Sequence, residues 1–240
     1  VHSDAYTFRF AAVVTIVCSV LLAGAATLLK PRQEENQKLD ARKNILASVN
    51  ITPQKGSFSR DQINKLFAEN IRELVINASG DVVEGKLPEQ IDPKKDKNLL
   101  PVYERIQNDS IAAYVIPVSG KGLWSTIYAY IALQTDCDHV LGITFYRHGE
   151  TPGLGGEISK KWFTDNFKGK RIRDDQGRLV SITVVKGKVA EKCTAKTAPH
   201  SVDGISGATL TGRGVTHFLK TELEKYEPFF EKVRSKEGGV

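Results

Sequence analysis

The sequence predicts an α+β protein: one membrane-spanning helix near the N-terminus, then a domain built on a mainly antiparallel sheet flanked by helices. Three observations carry this. An uncharged apolar run fills residues 10–29. Segments dense in Ile, Val, Tyr, Thr and Phe crowd the middle of the chain. Helical periodicity appears on both sides of them, without the regular strand–helix alternation of a parallel sheet. A chain of 240 residues is long enough for one core plus an anchor.

Taken in order, residues 1–9 form an N-terminal tail and residues 10–30 the membrane helix. The run FAAVVTIVCSVLLAGAATLL is twenty residues without a charge. As a helix it spans about 30 Å, the thickness of a bilayer's hydrocarbon core. Arg9 and Lys30 bracket it and can reach the headgroups. A buried soluble helix seldom stays free of charge for so long. A cleaved signal with Ala23-Gly24-Ala25 at its end is the other alternative. Because the chain begins ahead of the run, a retained anchor in membrane lipid is preferred.

Residues 31–110 read as a stalk with a helical and hairpin region. Leu39, Leu46 and Val49 suit one helical face. Ser59 and Gln62 make a capping box, followed by Ile63, Leu66, Phe67, Ile71 and Leu74 at helical spacing. Residues 78–81 predict a turn of a short hairpin, and residues 86–109 a long surface loop. Residues 111–230 form the main domain. Strands are expected over 111–118, 125–134, 140–146 and 179–185, with a short helical segment near 157–167. A last helix starts near Thr209 with Val215, Phe218, Leu219, Leu223 and Tyr226 on its apolar face, and Pro228 is expected to end it. Residues 231–240 are then a tail.

Composition excludes several classes. The charge of +6 comes from 34 Lys/Arg against 28 Asp/Glu, scattered and interleaved as in Lys94-Lys95-Asp96-Lys97, so no nucleic-acid partner is expected. Cys18, Cys137 and Cys193 form no framework. A Cys137–Cys193 disulfide is open to the sequence, with unbonded thiols preferred. The five histidines, His2, His139, His148, His200 and His217, lack metal-ligand spacing. No Walker or Rossmann glycine pattern occurs, so no direct ATP or NADH site is expected. Ser206 has no G-x-S-x-G elbow for hydrolysis.

Chemistry concentrates at residues 203–209, Asp-Gly-Ile-Ser-Gly-Ala-Thr. Gly204 and Gly207 allow close backbone approach, and Ser206 and Thr209 supply hydroxyls. The helix that follows directs N–H groups and its positive end at the loop, which suits a phosphate. A serine cap with no ligand is the plain alternative.

This segment resembles the D-x-x-S/T-G-A-T flavinylation sequence of covalent FMN-binding domains. In that family a flavin transferase attaches FMN through its phosphate to the last Thr, which by position is Thr209. Residues 149–157, Gly-Glu-Thr-Pro-Gly-Leu-Gly-Gly-Glu, resemble the family's E-T-P-G-L-G segment, which lies against the flavin. Residues 122–125, Gly-Leu-Trp-Ser, resemble a third family segment. The resemblance implies that residues 111–230 are an FMN-binding domain. It implies a covalent phosphoester on Thr209 and a cofactor site that also uses Asp203, Ser206, Gly207, Ala208, Trp124, Glu150, Thr151, Gly153, Leu154 and Gly155. Trp124 would pack on the ring, and backbone N–H groups of residues 153–156 would bond its polar edge. Asp203 would serve transferase recognition or an Asx-turn.

Within the family the chain is similar to the C subunits of Na+-translocating NADH:quinone oxidoreductases. The G subunits of Rnf-type electron-transfer complexes are the alternative, and a stand-alone tethered flavin module is a third. Gly122-Leu123-Trp124 and Gly155-Gly156-Glu157 favour the first, although residues 86–109 are shorter than that family's loop. The resemblance implies an electron relay in a complex that oxidises NADH, reduces quinone and pumps Na+. Partners would be the other subunits and, during maturation, the flavin transferase. Placement is argued two ways. Lys30, Arg32 and Lys38 after the run against Arg9 before it point to a cytoplasmic domain. The family places the flavin domain in the periplasm, tethered to the inner membrane. Large domains translocate largely regardless of charge, so the periplasmic side is expected.

Overall fold

A computed structural model describes residues 3–92 and 95–237. Val1, His2, Pro93, Lys94 and residues 238–240 of the expected tail lie outside the described residues. The chain divides into two compact units, residues 1–41 and residues 42–240.

Helix α1 (Asp4–Ser48) makes up the first unit, and its last turns belong to the second. It begins inside the expected N-terminal tail and continues through the expected stalk. Side chains of the apolar run are exposed throughout, as a lipid-facing helix requires. The two threonines in the run hide their hydroxyls: Thr15 donates to the Ala11 carbonyl and Thr27 to the Ala23 carbonyl, each at 2.8 Å. Pro31 lies within the helix.

In the second unit the core is a five-stranded antiparallel meander in the order β1-β2-β3-β4-β5. Helix α2 (Arg60–Asn70) carries the expected capping box: Gln62 N–H donates to Ser59 Oγ at 3.3 Å and Ser59 N–H to Gln62 Oε1 at 2.9 Å. The helix stops before Ile71. Ile71 and Leu74, expected on its face, instead open strand β1 (Ile71–Ile76). Tertiary pairing decides this, since the β-branched Ile71, Val75 and Ile76 pair with β2 (Leu100–Gln107) from Ile71↔Arg105 to Ile76↔Leu100. The expected hairpin after β1 shrinks to one bridge, Ile76↔Val82.

Strand β2 corrects the expected loop over residues 86–109. It turns into β3 (Ser110–Lys121) through Asn108 (φ 52°) and Asp109 (φ 57°), two left-handed residues of a tight hairpin. Strands β4 (Thr126–Gln134) and β5 (Val140–Arg147) complete the sheet where strands were expected. After β5 come a 3-10 turn (Gly155–Ser159), the short α3 (Lys161–Thr164) and another 3-10 turn (Asp165–Phe167). The strand expected over 179–185 is reduced to β6 (Thr183–Val184). It pairs with β7 (Ser201–Val202) beyond the single turn α4 (Val189–Lys192). Ser181 just before it has a φ of 64°, which breaks the extended run.

Helix α5 (Thr209–Glu237) packs on one face of the sheet, burying Val215, Phe218, Leu219, Leu223 and Tyr226 with Ile116, Val118, Ile127, Ala129 and Ile131. Alternate sheet residues, Val75, Tyr103, Val115, Tyr130 and Ala132, are buried outside that cluster. The end of α1 is tied to the strands: Arg105 donates to the Val49 carbonyl at 3.2 Å and Asn50 to the Leu141 carbonyl at 3.2 Å. Pro228 does not end α5, which runs on to Glu237 through most of the expected tail. An interior proline costs about 3 kcal/mol. Burial of Phe229 and Phe230 just beyond it offsets that cost, with Phe229 against Tyr114 at 5.4 Å between ring centroids. None of the three cysteines is disulfide-bonded.

Candidate functional site

Three stretches separated in sequence meet at the start of α5. The loop before the helix is shaped by its glycines. Gly207 has a φ of 73°, and a Cβ there would lie 2.7 Å from Leu154 Cδ2. Gly204 packs against the Val185 carbonyl so tightly that any Cβ would collide, and its N–H donates to the Gly187 carbonyl at 2.8 Å. Ala208 accepts the first helical hydrogen bond from Gly212 N–H at 3.0 Å. Alanine has no side-chain oxygen to cap the N–H groups that follow, so this end of the helix suits an anion.

Thr209, partly exposed, opens α5 and borders a cavity of about 460 Å³. Ser206, Gly207 and Ala208 border it as well, facing residues 184–188. That opposite wall is fastened to the helix and the loop. Val184 N–H donates to Thr216 Oγ1 at 2.9 Å, and Asp203 accepts Val189 N–H at 2.8 Å and Lys188 Nζ at 2.9 Å. The Val189 N–H and then the Lys188 ammonium hold the Asp203 carboxyl below its ordinary pKa. Asp203 therefore braces the facing wall, in place of the Asx-turn expected within its own loop.

Glu150 is the hub of the other two stretches. It is 4% exposed. Its Oε1 accepts Trp124 N–H at 3.0 Å and Ser125 N–H at 3.4 Å, and its Oε2 accepts the Thr211 hydroxyl at 2.6 Å. Burial alone would raise its pKa. The hydrogen bond from Thr211 and those from the N–H groups of Trp124, Ser125 and Leu123 outweigh it, so the carboxyl titrates below its ordinary value. Glycines make room for this knot. A Cβ at Gly122 would lie 2.6 Å from Glu150 Oε1, one at Gly155 2.5 Å from Thr211 Oγ1, and one at Gly214 2.5 Å from the Lys121 carbonyl.

Of the expected site residues, Thr209, Ser206, Gly207 and Ala208 share the cavity. Leu154 packs beside Gly207 without lining the cavity, and Thr151 and Gly153 lie exposed on the same loop. Glu150 and Gly155 are buried in the knot beneath. The N–H groups of Leu154 and Gly156 already donate to the Thr151 carbonyl at 3.1 and 2.9 Å, which takes them from the expected role at a ring edge. Trp124 is 71% exposed, so it is no core aromatic. Sequence reasoning missed the wall at residues 184–188 and the cations it brings, Lys186 and Lys188, and also Arg213 on α5. The spacing of Arg213, four residues beyond Thr209, was the one readable signal.

The FMN-binding domain family matches residues 122–224, which include Glu150, Thr211 and the whole lining of the cavity. The C subunit of the Na(+)-translocating NADH-quinone reductase of Pseudomonas aeruginosa is 36% identical, over 98% of this chain and 98% of the relative. The chain belongs to this C-subunit family. The Yersinia pestis member is 34% identical, over 95% of this chain and 92% of its own. Among solved structures, the C subunit from Parabacteroides distasonis superposes with a TM-score of 0.73 at 33% identity, covering 84% of this chain and 96% of that one. NqrC of Shewanella oneidensis gives 0.68 at 29% identity, covering 83% and 99%. Membership of the NqrC family, shown over nearly the whole length, sets aside the Rnf-type alternative. The residues at the cavity fit FMN: hydroxyls, an uncapped helix start and cations suit its phosphate, and the apolar Val184 and Ile205 in the lining suit its ring.

Proposed function

We propose that this chain carries FMN esterified through its phosphate to Thr209. It serves as a fixed electron relay in a membrane complex that oxidises NADH, reduces quinone and translocates Na+. One observation carries the attachment point. Two threonines begin α5, and only one is available. Thr209 borders the cavity, whereas Thr211 is 1% exposed and its hydroxyl is spent on Glu150. A transferase acting on the folded chain finds one threonine hydroxyl at the helix start.

Bound FMN supplies one- and two-electron chemistry. The chain's own residues hold it. The first N–H groups of α5 would face the phosphate, Lys186 and Arg213 place positive charge at the cavity, and Val184 and Ile205 give its walls apolar character. The Glu150 knot fixes the loops of Trp124 and Leu154 against the helix. A covalent link keeps occupancy independent of redox state. The apolar run of α1 anchors the chain in the inner membrane beside its partners, with the flavin domain on the periplasmic side.

Expression with a flavin transferase tests the assignment. Thr209→Val should lose denaturation-resistant flavin fluorescence and the matching intact-mass increment, and Thr211→Val should keep both. Fluorescence that survives Thr209→Val overturns the attachment point.

A further inference from the structure

We propose that Arg213 is the counter-cation of the phosphate ester on Thr209; this rests on the covalent FMN reading above. Residues four apart on a helix share a face, with Cβ atoms about 5–6 Å from each other. Thr209 and Arg213 are so related on α5, and both border the same cavity. Neighbouring glycines fix the roll of the helix at this point. A Cβ on Gly212 would lie 3.0 Å from Val184 Cγ1, and one on Gly214 2.5 Å from the Lys121 carbonyl. Those two positions must face packed structure, and residue 213 between them is exposed.

The charges at the cavity point the same way. Three cations border it. Lys188 is committed to Asp203 at 2.9 Å. Among the described residues, Arg213 and Lys186 have no carboxylate partner. The ester leaves one negative charge on the phosphate. Arg213 stands on the same rigid turn as that charge, and its planar fork suits two phosphate oxygens at once. Lys186 comes from the facing wall on a flexible stem and offers a point charge.

The test uses the full-length protein in two forms, expressed without transferase and loaded with FMN. Arg213→Gln should leave the Tm of the unloaded form unchanged. In the loaded form at low salt it should lower Tm by about 2–4 °C, an effect that shrinks at high salt. Arg213→Lys should restore most of the loss. The 31P resonance of the loaded protein should move in Arg213→Gln. Equal Tm shifts in both forms overturn the proposal, as do no shift in either and a loaded-form loss seen with Lys186→Gln instead. An intact mass showing no flavin on wild-type Thr209 would remove the underlying reading first and this proposal with it.

Discussion

Glu150 shows how much one side chain can organise. A carboxylate held by the Thr211 hydroxyl and backbone N–H donors lies below its ordinary pKa, so its stabilising effect is complete above the unfolded-state value, about 4.3. That contribution fades as pH falls through the depressed folded-state value. Glu150→Gln keeps the shape but removes the charge. At pH 7 it should unfold at lower urea, by about 1–3 kcal/mol, and the gap to wild type should narrow below about pH 4; a constant gap would mean the carboxylate's charge is irrelevant. Thr211→Val leaves Oε2 without its hydroxyl donor and should cost a similar amount while keeping flavin. Asp203 separates two roles. Asp203→Asn keeps an acceptor for Val189 N–H, so loading by the transferase should survive if bracing of the wall is what matters. Loss of loading in the Asn variant, with an unchanged melting curve, would assign the carboxylate to transferase recognition.

At the scale of elements, legibility followed locality. The capping box of α2 and the apolar stripe of α5 are written within a few residues, and both stand in the structure as expected. Strand β2 was hidden because Pro101, Glu104 and Arg105 interrupt its apolar pattern, yet Glu104 is buried and paired with Arg72. Its Asn108-Asp109 turn was a signal left unread. Pro228 misled because the gain from Phe229 and Phe230 depends on partners far away in sequence. The loop at residues 203–209 and the helix start at Thr209 were legible from the motif. The facing wall at 184–188 was not, because only long-range contacts such as Val184 N–H to Thr216 bring it there. Gly80 tests the far end of α5. With φ at 77° and a Cβ that would lie 2.5 Å from Phe229 N, Gly80→Ala should cost about 2–4 kcal/mol by urea denaturation. A loss under about 0.5 kcal/mol, the size of an ordinary surface change, would show that the helix end can shift.

For the whole molecule, the division at Arg42 predicts that residues 42–240 fold without the anchor. That fragment should give a cooperative melt and accept flavin on Thr209 when expressed with a transferase in the same compartment. Failure to fold would show that the first unit is needed for more than tethering. Sidedness is checked with a single cysteine at Lys97 in a background without the native cysteines. A membrane-impermeant thiol reagent should label it in cells whose outer membrane alone is permeabilised. Labelling only after the inner membrane is broken would place the domain in the cytoplasm. The glycine contacts at 122, 155, 207 and 214 carry a consequence for speed. Electron transfer is slowed when surroundings must rearrange as the charge arrives. Backbones locked at van der Waals contact, with their one carboxylate saturated by donors, have little freedom to do so. With the flavin on Thr209 as proposed, the knot would be a low-reorganisation seat, and a side chain forced in at Gly155 should slow the rate of flavin reduction even where the flavin stays attached.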